Sequence, residues 1–69
     1  MPNEVIFEVH EAEEGGYYAE AVGYDIITQA DSWEDLKRMA QDAVLCHFDG
    51  DSVPGVFRLH LVKDEVVAV

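Results

Sequence analysis

The chain has 69 residues, with 15 acidic side chains against 4 basic ones and a formal net charge of -11. That length holds one small domain, residues 1–69, and excludes a catalytic domain built around a dinucleotide or thiamine site. The shortage of lysine and arginine argues against direct nucleic-acid binding, because phosphate contacts need cations, while 49% hydrophobic and 10% aromatic residues are too many for a disordered acidic tail.

A folded chain this short buries only about 60% of the surface it exposes when unfolded, so self-association into at least a dimer is expected. Cys46 is the single cysteine, which rules out an internal disulfide and limits any zinc site to one thiolate per chain. No basic segment followed by an apolar run opens the sequence, and no stretch approaches the roughly 20 apolar residues of a membrane helix. A cytoplasmic protein without a membrane partner is the expectation.

Charge is distributed unevenly. Residues 1–31 carry Glu4, Glu8, Glu11, Glu13, Glu14, Glu20, Asp25 and Asp31 with no lysine or arginine, whereas residues 32–69 hold all 4 bases against 7 acids. Two readings of the acidic half stand side by side: a solvated surface that keeps a small protein soluble, and a docking surface for a basic partner.

In chain order, Val5 to His10 alternates Val5, Phe7 and Val9 with Ile6, Glu8 and His10, the period of a strand. Glu13, Glu14, Gly15 and Gly16 then turn the chain, the glycines supplying the positive φ of a tight hairpin, and residues 17–22 form the returning strand. Tyr17 and Tyr18 point to opposite faces of it. Gly23 interrupts the pattern, and residues 24–29 resume it as a third strand. Ser32 is a good N-cap, with Glu34 and Asp35 in the first turn where carboxylates suit the positive helix end, and the spacing predicts a helix over residues 33–48.

At 100° per residue, Trp33, Leu36, Met39, Ala40, Ala43, Val44, Cys46, His47 and Phe48 share an apolar arc of roughly 200°, wider than one sheet face requires. Cys46 and His47 are read as packed in that arc. Leu45 stands among the polar residues of the opposite side and is expected to be exposed in a monomer. Asp49 to Ser52 ends the helix, Pro54 and Gly55 turn, and residues 56–62 alternate Phe57, Leu59 and Leu61 against Arg58 and His60 as a fourth strand. The apolar residues 66–69 would be an aggregation risk if left bare, so Val66, Val67 and Val69 are expected to be covered, with Leu45, at a subunit interface.

This order predicts an α+β fold, β-β-β-α-β. A crossover connection places the last strand parallel to the first, giving the spatial order third, second, first, fourth, with the helix on one face and Ile6, Glu8, His10, Arg58 and His60 on the other.

The run Phe7-Glu8-Val9, the turn Glu13-Glu14-Gly15-Gly16-Tyr17, the segment from Thr28 to Leu36, and Ala40 and Ala43 together resemble the N-terminal domain of HicB-type antitoxins. The resemblance spans residues 5–49 and rests on the order of hairpin glycines, third strand and helix cap. It implies a fold related to a truncated ribonuclease H core, and a partner: HicA, a small basic messenger-RNA-cleaving toxin whose catalytic surface the domain blocks. Family members usually carry a separate DNA-binding domain with no counterpart in these 69 residues, so operator binding is not expected. Where the family tends to place a Pro-Gly-Cys segment, this chain has Val22-Gly23-Tyr24-Asp25-Ile26-Ile27.

The candidate partner-binding residues are Glu11, Glu13, Glu14, Tyr18 and Glu20, acids for steering and an aromatic ring for anchorage. No catalytic residue, metal ligand or cofactor is expected. Glu8, Asp64 and Glu65 are the nearest approach to a nuclease carboxylate set, without the basic wall that holds a phosphate. His10, His47, His60 and Cys46 lack zinc-ligand spacing, and Asp49-Gly50-Asp51 lacks the remaining positions of a calcium loop. The alternative to an antitoxin is an orphan oligomeric domain with a structural or small-ligand role.

Overall fold

Alternation of β-branched and aromatic residues with polar ones builds a four-stranded sheet in the computed structural model, which describes residues 4–69. The strands are β1 (Glu4–Glu11), β2 (Tyr17–Ala21), β3 (Ile27–Ala30) and β4 (Val56–Val62), and one helix, α1 (Trp33–His47), lies between β3 and β4 in sequence. Their spatial order is β3-β2-β1-β4. The first three form an antiparallel meander, and β4 runs parallel to β1 with Phe7 opposite Leu59. This is the predicted α+β topology, including the parallel return of the last strand.

The core lies between the sheet and α1. Val5, Phe7 and Val9 of β1 meet Ala19 and Ala21 of β2 on one face, and Leu36, Ala40 and Val44 press down from the helix. Those three helical residues recur every fourth position, so they form one stripe along the helix. Phe7 is the largest fully buried side chain, with the ring of Phe57 standing edge-on to it at 5.9 Å. Removing such a ring from water contributes roughly 2–3 kcal/mol. The Ser32 hydroxyl caps α1 by accepting the Asp35 backbone N–H at 3.1 Å.

Four expectations are corrected. The third strand begins at Ile27 rather than residue 24, because Gly23 takes a φ of +87° and the Ala21 N–H bonds the Ile26 carbonyl at 2.9 Å, which turns residues 22–26 into a loop. For the same reason β2 closes at Ala21, leaving Val22 outside it. Cys46 is exposed rather than packed, since it lies about 120° around the helix from the centre of the buried stripe. His47 is in line with that stripe yet exposed. The 15-residue helix is about 22 Å long, against about 14 Å for the 4 residues of β3, so its last turn runs past the end of that strand. There His47 stands edge-on to the rings of Tyr24 and Phe48, with centroids 5.8 and 4.9 Å away.

The helix packs on β2 and β3 and leaves β4 largely uncovered. Its position follows from the two-residue link, Asp31 and Ser32, which starts it directly beside β3. Consequently Phe57 and Leu59, on the helix side of β4, are half-buried, and Leu61 is exposed. The expected cover for residues 66–69 is not supplied by the described residues: 66–69 belong to no strand, and Val66 is 100% exposed.

Candidate protein-binding surface

Two glycines shape the end of the β1–β2 hairpin. Gly15 and Gly16 have φ of +97° and +83°, in the region that residues with a side chain rarely enter. The Ala12 N–H bonds the Gly16 carbonyl at 3.0 Å and the Gly15 N–H bonds the Ala12 carbonyl at 3.1 Å, so the turn is a closed loop that leaves Glu13 and Glu14 exposed.

Beside this turn an open cavity of about 640 Å³ is lined by His10, Glu11, Glu13, Glu14, Tyr18 and Asp64, with Ala12, Val62 and Lys63 completing the wall. The register explains the grouping. His10 lies opposite Tyr18 on one side and Val62 on the other, so the ends of β1, the start of β2 and the end of β4 meet at one corner of the sheet. The rings of Tyr18 and His10 stack, 5.1 Å apart and 17° from parallel. Four carboxylates face one ammonium here, and Lys63 sits 3.8 Å from Glu11. A recess lined by one sign of charge focuses the field and raises the local concentration of cations. Carboxylates beside a flat aromatic ring suit the guanidinium of an arginine or the ammonium of a lysine, which donates charge-assisted hydrogen bonds to the carboxylates while lying against the ring face.

Of the five residues named from sequence, Glu11, Glu13, Glu14 and Tyr18 come together at this cavity. Tyr18 lies on the face away from the helix and is 44% exposed, while Tyr17 turns inward against Trp33, ring centroids 5.4 Å apart. Glu20 stands on the same outer face, one row away, between Glu8 and Ile27. It does not line the cavity. Two residues were missed: His10, whose opposition to Tyr18 follows once the hairpin register is counted back from the glycines, and Asp64, which joins only because β4 runs parallel to β1.

The remaining chemistry-bearing residues scatter. Glu8 faces His60 and Glu20 across the sheet, and Glu65 is exposed beyond β4. His60 lies one row from His10 on the same face. Among the described residues no three His, Cys, Asp or Glu side chains gather as a metal site would require. Asp49 to Ser52 form a single short turn closed by the Ser52 hydroxyl on the Asp49 carbonyl at 2.6 Å. No helix among the described residues is long and apolar enough to cross a membrane.

Leu45 is 54% exposed and lines a small groove of about 230 Å³ with Val53, Pro54 and Phe57. This groove adjoins the start of β4, whereas Val66, Val67 and Val69 follow its end. The two predicted interface segments therefore do not meet within one chain.

No protein-family model matches the chain, and no solved structure matches it significantly. A UPF0150 protein of Thermotoga maritima is 44% identical over 66 residues, covering 96% of this chain and 93% of its own length. A UPF0150 protein of Archaeoglobus fulgidus is 52% identical over 50 residues, covering 72% of this chain and 74% of its own length. With that identity sustained across nearly the whole of one relative, the chain belongs to the UPF0150 family.

Proposed function

We propose that this chain is a non-catalytic protein-binding module of the HicB type, whose acidic corner binds a small basic HicA-like ribonuclease and keeps RNA from its catalytic surface. The observation that supports the reading best is the cavity itself, where Glu11, Glu13, Glu14 and Asp64 surround the stacked rings of Tyr18 and His10. A ribonuclease holds its substrate through lysines and arginines that contact phosphates. Carboxylates at matching positions compete for those same cations, so an acidic surface blocks such an enzyme without any chemistry of its own. The β-β-β-α-β fold suits the same reading.

The test pairs the chain with a HicA-type toxin encoded beside it. A stoichiometric amount of the chain should suppress messenger-RNA cleavage. Association followed by stopped flow should be fast at low salt and slow markedly as ionic strength rises, because exposed charges more than about 8 Å apart are largely screened at physiological salt. The triple variant Glu11→Gln, Glu13→Gln, Glu14→Gln removes three charges without touching Gly15 or Gly16, and should slow association by at least about tenfold at low salt. Undiminished cleavage in the presence of the chain, or a salt-independent association rate unchanged in the triple variant, would leave the acidity a solubility device and favour the orphan structural role.

A further inference from the structure

Among the described residues, the outer edge of β4 has no paired strand, since β1 is its one neighbour in the sheet. A seven-residue edge strand of alternating apolar residues templates pairing with another chain. We propose that the occupant is a second copy: two β4 strands pair antiparallel about a two-fold axis at Leu59, and residues 66–69 of each copy lie in the Leu45 groove of the other.

Charge selects this edge. Each copy carries a net charge of -11, so a self-contact forms most readily where acids are fewest. Residues 56–63 hold Arg58 and Lys63 and no acid. The opposite edge, β3, is four residues long and is flanked by Asp25 and Asp31, and full antiparallel self-pairing there would bring Asp25 of each copy within one residue of the position opposite Asp31 of the other.

Register follows from length. Pairing all seven residues of β4 with their counterparts requires Val56 opposite Val62 and therefore Leu59 opposite itself. Directly opposed residues of an antiparallel pair share a face. The half-buried Phe57 and Leu59 and the exposed Leu61 thus meet their counterparts on the helix side, where the helix leaves them bare.

The same register carries each tail beyond its own sheet. Residue 63 falls opposite Gly55 of the second copy and residue 66 opposite Ser52, next to Val53 and Pro54 at the mouth of the Leu45 groove. A tail that leaves its own sheet at the end of β4 away from its own groove runs instead toward that of its neighbour. Such reciprocity is the defining property of a two-fold contact. It accounts at once for the free edge, the uncovered valines and the exposed Leu45.

Light scattering at tens of micromolar should give twice the 7.7 kDa chain mass. In a Cys46→Ser background, Leu59→Cys should form a disulfide-linked dimer under mild oxidation, while Leu45→Cys, held away from the axis, should not. Leu61→Lys and the pair Val66→Asp with Val67→Asp should each weaken the dimer by about tenfold or more. The tail pair lies outside the sheet, so it carries the test if Leu61→Lys fails to fold by circular dichroism. Added salt should tighten the dimer by screening the net charge, opposite to its effect on a basic partner. A mass of 7.7 kDa, or an oligomer that cross-links through Leu45→Cys and not Leu59→Cys, would overturn the proposal.

Discussion

Replacing Gly16 with alanine isolates a close backbone approach from the general strain of the hairpin. Gly15 and Gly16 both have positive φ, +97° and +83°, but their surroundings differ. A Cβ on Gly15 meets nothing within 4 Å, whereas one on Gly16 falls 2.7 Å from the Ala30 carbonyl oxygen and 3.2 Å from the Asp31 Cα. A positive φ costs a residue with a side chain roughly 1–2 kcal/mol, partly offset by about 0.4–1 kcal/mol from the reduced freedom of the unfolded chain. Gly15→Ala should therefore destabilise by about 1 kcal/mol. Gly16→Ala adds the displacement of a carbonyl at the β2–β3 ladder end, where Tyr17 pairs with Ala30. Loosening one such hydrogen bond adds about 1–1.5 kcal/mol, for a total of about 2–3 kcal/mol.

For a domain of this size each kcal/mol corresponds to about 4–8 °C in melting temperature. Thermal unfolding followed by circular dichroism should place Gly16→Ala about 10–20 °C below the parent and Gly15→Ala about 4–8 °C below it. Both must be measured at one protein concentration, because self-association makes the midpoint concentration-dependent. If the two variants lose the same stability within about 0.5 kcal/mol, the packing of Gly16 against Ala30 is not what makes that position require glycine.

Two further outcomes are expected. Ser32→Ala removes the acceptor of the Asp35 N–H and should cost about 1 kcal/mol in urea unfolding, with Ser32→Asp recovering most of it. Tyr18→Ala should speed dissociation from a basic toxin partner by roughly thirtyfold, the equivalent of about 2 kcal/mol, while changing association less than the triple glutamine variant does; a faster association with unchanged dissociation would mean that the ring is no anchor.

The parts of the candidate site carried by a local turn were legible in the sequence. Glu13-Glu14-Gly15-Gly16 specifies both the bend and the charges on it, and the alternation after it puts Tyr18 on the outer face, because side-chain period and turn geometry are local properties. Ser32 marked the start of α1, and the residue order alone indicated the parallel β4. What escaped were contacts made by residues distant in the chain. His10 enters the cavity through its register with Tyr18, and Asp64 through the register of β4 on β1, which sets Val62 beside His10.

Periodicity also states which residues are apolar together without stating how much of that stripe a neighbour covers. Nine residues shared an arc on α1, yet Leu36, Ala40 and Val44 alone are fully buried, because the short link after β3 sets the helix over β2 and β3. Met39 and Cys46 fall to the sides of that contact, and His47 runs past the end of β3. Local sequence thus determined the elements, their order and the acidity of one end. The placement of α1 over one half of the sheet, and with it the bare face of β4, was decided by tertiary packing, because a helix covers a strand only where its connections allow it to sit.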